Sequence, residues 1–398
     1  MPENKRPEMP KFIYIHIPFC KSKCFYCGFF SRPADKRDFE KVLDAEIAEL
    51  KKSAIYRPVE TLYIGGGSPA CIGGQTLCDF LKKILAITGQ TKEFTVEINP
   101  NDADEKLFAE LKNVGVNRIS IGAQSFVQSE LDFLGRKYTP EKIFQTIQSA
   151  KNSGFKNIGI DLIFAIPNSN LKSWHQNLRT AISLDIQHIS AYSLTYEKNT
   201  PLEKSKLSGI VKSVDENADR QMYETAIETL SAGGFEHYEI SNFAAAGFKC
   251  RHNLAYWKNE QYLGIGPAAA SSSGNFRFEN VNDIDKYVQR IGQNEDAADE
   301  KIIITDIERA AQTAVLNLRL TEGINLAEYK QKTGFGIYEL FKASVEKNLK
   351  SNLLELNGGC LRLTKNALPI ADFVLCDFAE PDENLFRQDN RIDGIFDF

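Results

Sequence analysis

With 398 residues, 42% of them hydrophobic, the chain can bury a full core and is long enough for one large domain and a smaller one. A net charge of −5, with Lys and Arg dispersed among Asp and Glu, leaves no basic stripe for phosphates, so nucleic acid is not expected as a partner. No run reaches the ~18 apolar residues of a membrane span, and the opening MPENKRPEMP carries charge with no apolar stretch behind it, so no membrane span and a cytoplasmic location are expected.

From residue 11 to about 240, short β-branched or aromatic runs alternate with longer amphipathic stretches. Strands are expected at Phe12–Ile17, Thr61–Ile64, Phe94–Ile98, Arg118–Ile121, Ile158–Phe164 and His188–Leu194, with helices near 36–53, 75–88, 103–114, 140–153, 171–183 and 215–232. This alternation predicts an α/β fold on a parallel sheet with right-handed crossovers, either doubly wound or an incomplete barrel. Residues 248–280 break the pattern and read as a linker or cap. Beyond 295, helical patterns at Glu308–Leu320, Leu326–Lys332 and Ile337–Asn348 precede a hairpin around Leu353–Leu363, turning at Asn357-Gly358-Gly359. The expected division is a core over 1–247, a linker or cap over 248–294, a winged-helix-like domain over 295–380 and a polar tail over 381–398.

The polar features fall at strand C-terminal ends, where both candidate architectures place their chemistry. Cys20, Cys24 and Cys27 follow the first strand, Gly65 to Pro69 the second; Glu97 lies on the third and Gln124 just past the fourth. Of eight cysteines, these three crowd into eight residues; Cys71, Cys78, Cys250, Cys360 and Cys376 are scattered and read as core or inert thiols. The spacing C-x3-C-x2-C lets one loop wrap an inorganic cluster, and three thiolates on four irons leave one iron open to a small chelating molecule. The alternatives are a zinc site completed by His16, or free structural thiols.

The run from Tyr14 to Cys27, YIHIPFCKSKCFYC, resembles the opening of the radical S-adenosylmethionine (SAM) proteins related to oxygen-independent coproporphyrinogen oxidase. The resemblance implies a partial (β/α)6 barrel carrying a [4Fe-4S] cluster on Cys20, Cys24 and Cys27, with SAM on the open iron and an external electron donor. It extends through Gly66, Gly67 and Ser68 in the glycine turn, Glu97 in VEINP, Gln124 in GAQSF, Arg136 in LGR and Asp161 in IDLI. With Tyr14 and Tyr26 of the cysteine segment, these are the implied cofactor contacts. Taken singly, the glycines can be only a tight turn, Glu97 a solvated strand-end acid, and the others caps or ion pairs.

Two features bear on the branch of the family. The oxidase, HemN, carries a fourth cysteine two residues after the third, where this chain has Phe29; the heme chaperone, HemW, carries the H-N-x-x-Y-W motif, present as His252 to Trp257. The resemblance therefore implies a heme-binding protein that delivers heme to acceptor proteins, with His252, Tyr256 and Trp257 as heme contacts. An aromatic patch anchoring a linker is the plainer reading of the same six residues. The competing activity is oxidative decarboxylation of coproporphyrinogen III; a winged-helix DNA binder is disfavoured by the acidic balance. Tyr138 and Ala270 stand where the family usually has histidine, which weakens any contact inferred at either position.

Overall fold

The computed structural model describes residues 9–382, so most of the expected polar tail lies outside the described residues. The described residues divide into two compact units: 9–236, 241–252 and 261–302 in the larger, and 237–240, 253–260 and 303–382 in the smaller.

The larger unit is an α/β fold built on six consecutive parallel strands. These are β1 (Phe12–Ile17), β2 (Thr61–Gly66), β3 (Glu93–Ile98), β4 (Arg118–Gln124), β5 (Ile158–Phe164) and β6 (His188–Ser193), adjacent in the order of the sequence. Ile13, Ile15, Leu62, Ile64, Val96, Ile119, Ile121 and Ile160 are fully buried on these strands. Such near-continuous burial belongs to a parallel sheet whose faces are both covered. The crossovers are α1 (Lys36–Lys52), α2 (Gly74–Thr88), α3 (Glu105–Val114), α4 (Pro140–Asn152) and α5 (Leu171–Ser183), and α6 (Glu216–Ala232) follows β6. Their starts are written locally: Asp35, Asp104, Asn170 and Asp215 each accept a backbone N–H of the first turn, which removes an otherwise orphaned donor. Trp174 of α5, 2% exposed, donates its indole N–H to Met222 O of α6 at 2.8 Å and fastens the last two helices together.

The chain beyond α6, including the segment from 248 read as a linker, supplies more sheet. β7 (Asn242–Ala244) pairs antiparallel with β6, β8 (Tyr262–Ile265) pairs parallel with β1, and β9 (Ala270–Ser273) and β10 (Phe276–Asn280) continue antiparallel. Both edges of the parallel set are thereby extended, so β1 and β6 have neighbours on both sides.

The smaller unit holds the helices Asp306–Leu318, Leu326–Thr333, Ile337–Leu340 and Lys342–Lys350 and a three-stranded antiparallel sheet of Ile324–Asn325, Leu354–Asn357 and Cys360–Leu363. This is the winged-helix-like α+β arrangement. The stretch expected as one helix over Ile337–Asn348 is two, because Phe341 leaves the helical region at φ −133°, ψ 35°. The hairpin turns at Gly358 and Gly359, both at positive φ, as a two-residue turn of the mirror type requires.

Candidate functional site

The site is built on the C-terminal ends of β1 to β5. β1 is followed by a second short pairing, Phe19 with Arg32 and Cys20 with Pro33, which closes the cysteine segment into a loop. Ala34 N–H donates to Cys20 O at 2.9 Å, Cys27 N–H to Cys24 O at 3.3 Å, and the buried His16 holds Phe30 O from Nε2 at 2.8 Å. His16 is thus a brace for the loop, and Tyr14 bonds its Nδ1 at 3.0 Å. Cys20, Cys24 and Cys27 are all half-buried and form no disulfide. Burial pushes the Cys20 and Cys27 thiols up; the neighbouring thiols add to this, while Arg136 pulls both down. Those mutual effects mark the thiols as a group. Among the described residues, no three His, Cys, Asp or Glu side chains gather tightly enough around one point to hold a single metal ion.

The glycine turn fits under this loop with no space to spare. Gly66 has φ +113°, and a Cβ there would lie 2.7 Å from Ile17 O. A Cβ on Gly67 would lie 2.3 Å from Phe19 O and 2.9 Å from Cys20 Sγ. Gly67 N–H donates to Ile17 O at 2.9 Å and Ser68 N–H to Phe19 O at 2.7 Å, so the turn is hydrogen-bonded to the segment bearing Cys20. The Ser68 hydroxyl donates to Asp102 Oδ2 at 2.6 Å, and Lys21 Nζ sits 2.6 Å from Asp102 Oδ1. Asp102 therefore ties the cysteine loop, the glycine turn and the turn after β3. Nothing in the local sequence distinguishes it from the neighbouring surface acids.

Two half-buried carboxylates face the same interior from adjacent parts of the sheet. Glu97 accepts from the Tyr63 hydroxyl at 2.8 Å and from Gly66 N–H; burial, and then the Asp161 charge, push its carboxyl up to about 7. Asp161 is also raised by burial, against hydrogen bonds from Ser190 and Ser120 and the charges of Arg118 and Arg136. Arg136 donates to the Tyr26 hydroxyl, and its guanidinium lies over the Tyr26 ring at 5.5 Å and the Tyr138 ring at 5.9 Å. Its Nε is buried without a partner, an orphaned donor beside the cysteine loop. Gln124 is inside β4 and not beyond it, at φ +65° after a register shift between Ile121 and Gln124. A buried network fixes that strained turn: Ser125 Oγ donates to Glu130 Oε2 at 2.5 Å, and Phe126 N–H to Asn177 Oδ1 at 2.6 Å. Tyr138 donates to Gly122 O at 2.6 Å, so the residue in the histidine's place braces the same bulge.

Tyr14, Tyr26, Gly66, Gly67, Ser68, Glu97, Gln124, Arg136 and Asp161 thus come from the elements that border the cysteine loop. His252 of the aromatic motif does not join them. His252 is 1% exposed at the opposite, N-terminal ends of the strands. Its Nδ1 pairs with Thr61 Oγ1 at 2.6 Å, its ring stacks on Tyr63 with centroids 5.0 Å apart, and its N–H donates to Glu93 Oε1 at 3.0 Å. Thr61 and Glu93 are the first residues of β2 and β3; Gly66, five residues up β2, is roughly 17 Å away at ~3.3 Å per residue. Burial lowers the His252 pKa to about 3, so the ring is neutral. Ala270 lies exposed in β9. In the smaller unit, the Trp257 ring faces the Arg319 guanidinium at 4.5 Å, and Asn317 donates to Trp257 O at 2.8 Å. Tyr256 is half-buried in that unit. Local sequence gave no sign of Tyr63, Arg118 or Asp102 as site residues.

A fold of this kind, with its thiol loop at the C-terminal edge, defines the class: residues 14–181 match the Radical SAM superfamily, and residues 304–370 match the HemN C-terminal domain. The heme chaperone HemW of Bacillus subtilis is 32% identical over 89% of this chain and 95% of its own, and that of Mycobacterium tuberculosis 31% identical over 93% and 95%. The mitochondrial radical S-adenosyl methionine domain-containing protein 1 of Danio rerio is 29% identical over 87% of this chain and 80% of its own. The coproporphyrinogen III oxidase HemN of Escherichia coli shares the fold, with TM-score 0.80, 19% identity and coverage of 94% of this chain and 90% of that one. The chain belongs to the heme chaperone HemW family of radical SAM proteins.

Proposed function

We propose that the chain binds heme and passes it to heme-accepting proteins, and that it carries a [4Fe-4S] cluster on Cys20, Cys24 and Cys27 with SAM on the fourth iron. The observation carrying this reading is near full-length similarity to proteins named heme chaperone HemW, in a chain that keeps the three-thiol loop and the carboxylate-lined mouth. The residues present fit the cofactors. Gly67, where a Cβ would lie 2.9 Å from Cys20 Sγ, lets the glycine turn pack directly against the thiol loop, and the orphaned Arg136 Nε suits a carboxylate such as that of the methionine part of SAM. In this reading Asp161 would accept ribose hydroxyls, and Glu97 would accept from the same ligand. When bound, the cluster supplies single electrons to SAM, which requires an external electron donor. No helix among the described residues is long and apolar enough to cross a membrane.

Phe29, 68% exposed, stands where the oxidase has its fourth cysteine, which supports heme transfer over coproporphyrinogen oxidation. The deep burial of His252 supports the anchoring alternative for that imidazole, so heme binding is proposed for the chain and not for His252 as its iron ligand. The test is anaerobic reconstitution followed by iron, sulfide and SAM measurements, a heme titration and a coproporphyrinogen III assay on one sample. About four irons per chain, loss of the chromophore in Cys24→Ala, stoichiometric heme binding retained in His252→Ala and no protoporphyrinogen IX are expected. Stoichiometric zinc without sulfide, or multiple-turnover oxidation, overturns the reading.

A further inference from the structure

His252 opens the family's aromatic motif, yet it lies under the barrel, far from the thiols. One contact of its ring runs upward, to Tyr63. The imidazole stacks on Tyr63 at 5.0 Å with an interplanar angle of 28°, and the Tyr63 hydroxyl donates to Glu97 Oε1 at 2.8 Å. The lower end is fixed twice, by Thr61 Oγ1 on Nδ1 at 2.6 Å and by Glu93 Oε1, which accepts the His252 N–H at 3.0 Å. Glu93 Oε2 also accepts Arg251 N–H at 2.9 Å, so the backbone entering this position is held along with the ring. At the upper end, Glu97 Oε2 would be 2.8 Å from a Cβ on Gly65, so the glycine turn leaves the carboxylate little lateral room. The path from His252 to Glu97 stays within the larger unit and passes through one aromatic ring.

We infer that His252 is a positioning residue for SAM binding: by stacking on Tyr63 it fixes the hydroxyl that orients the Glu97 carboxylate. The inference rests on the proposed reading of Glu97 as a SAM contact. Tyr63 has two torsions that can swing its hydroxyl off Glu97, and the flat face of His252, itself pinned at Nδ1, restricts that swing from one side. Tyr14, with its ring centroid 6.1 Å from that of Tyr63, bounds it from another. A carboxylate held by a preset donor meets its ligand without paying for ordering at that moment. The chemistry assigned to His252 is that of a neutral, hydrogen-bonded ring, and its effect reaches SAM through Tyr63.

The experiment uses the full chain with reconstituted cluster and reads SAM affinity from the change in the reduced-cluster electron paramagnetic resonance, beside iron content and thermal unfolding. Tyr63→Phe keeps the ring and removes the hydroxyl; it should weaken SAM about tenfold, the scale of one lost charge-assisted hydrogen bond, with iron content unchanged. His252→Ala should give a similar loss, and the two together little more than either alone, because both act on one bond. His252→Phe restores a flat face for Tyr63 and should recover most of the affinity. Should His252→Ala fold poorly, Thr61→Val releases the Nδ1 pairing alone and is expected to weaken SAM by a few-fold. Glu97→Ala separates the two levels of argument. If it leaves SAM affinity unchanged, the reading of Glu97 fails. If it weakens SAM while His252→Ala and Tyr63→Phe lower only thermal stability, or add independently, the positioning role fails.

Discussion

Replacing Gly67 by Ala tests whether the glycine turn is built for the cysteine loop or is only a convenient bend. The added Cβ would lie 2.3 Å from Phe19 O and 2.7 Å from Phe19 C, both backbone atoms that cannot rotate away as a side chain can. The whole Phe19–Cys20 segment must therefore move, and with it Cys20 Sγ, 2.9 Å from the same Cβ. Overpacking of this kind costs about 1 to 3 kcal/mol. The Gly67-to-Ile17 and Ser68-to-Phe19 hydrogen bonds would lengthen together, and losing one adds about 1 kcal/mol. A loss of about 2 to 4 kcal/mol in the larger unit is expected, near 1 M in urea midpoint for a slope of roughly 3 kcal/mol/M. The measurement is urea unfolding of the apo protein, which separates packing from cluster binding, followed by iron content after reconstitution, expected to be well below the unsubstituted chain. Gly292→Ala is the control. That glycine closes the helix Ile284–Gly292, has nothing within 4 Å of a Cβ and no positive φ, so Ala should change stability by less than about 1 kcal/mol, in the stabilising direction. A Gly67→Ala protein with unchanged midpoint and full iron content would refute the close-approach argument.

Three other outcomes are open to direct measurement. Glu46 is fully buried on α1 with neither carboxyl oxygen partnered, and burial, followed by the Glu49 charge, raises it well above its ordinary value. Because its folded pKa is the raised one, stability is fullest below about pH 4.5 and falls as pH rises, by up to ~1.4 kcal/mol per pH unit while the native carboxyl keeps its proton. Glu46→Met should therefore gain over the unsubstituted chain from pH 5 to pH 8 in denaturant unfolding; a constant difference across that range would count against a buried protonated acid. Asp102→Ala breaks the link between Lys21 and Ser68 and should slow cluster assembly and shorten cluster lifetime in air, measured by absorbance decay, while leaving far-ultraviolet circular dichroism unchanged; equal lifetimes would remove Asp102 from the site. Removal of iron by a chelator should abolish the SAM-dependent signal and leave the fold intact, since the cysteine loop is closed by backbone pairing of its own; global unfolding on chelation would contradict this.

The local rhythm of the chain carried its architecture. Buried runs such as Ile158–Phe164, amphipathic stretches such as Leu171–Ser183 and capping residues such as Asn170 determine elements over a few residues, so strands and helices were legible to within a residue or two at most ends. The thiol loop was legible for the same reason, because its ligands are neighbours in sequence. The resemblance also singled out Glu97, Arg136 and Asp161, although periodicity alone does not separate them from ordinary strand-end or turn residues.

Tertiary structure decided what depends on distant partners. Thr61 and His252 are 191 positions apart, and only the closure of β8 onto β1 brings residues 262–265 into the sheet that the linker reading left out. Asp102 becomes a clamp because three separate turns meet at one carboxylate, and Tyr63 becomes its counterpart for Glu97 because two adjacent strands are in a particular register, Tyr63 opposite Thr95. Hydrophobic periodicity specifies which face of an element is buried; it does not specify which end of the barrel a later segment reaches. Sequence thus determined the strand–helix alternation and the spacing of the thiols, whereas long-range packing placed the aromatic motif's imidazole at the end of the strands away from them.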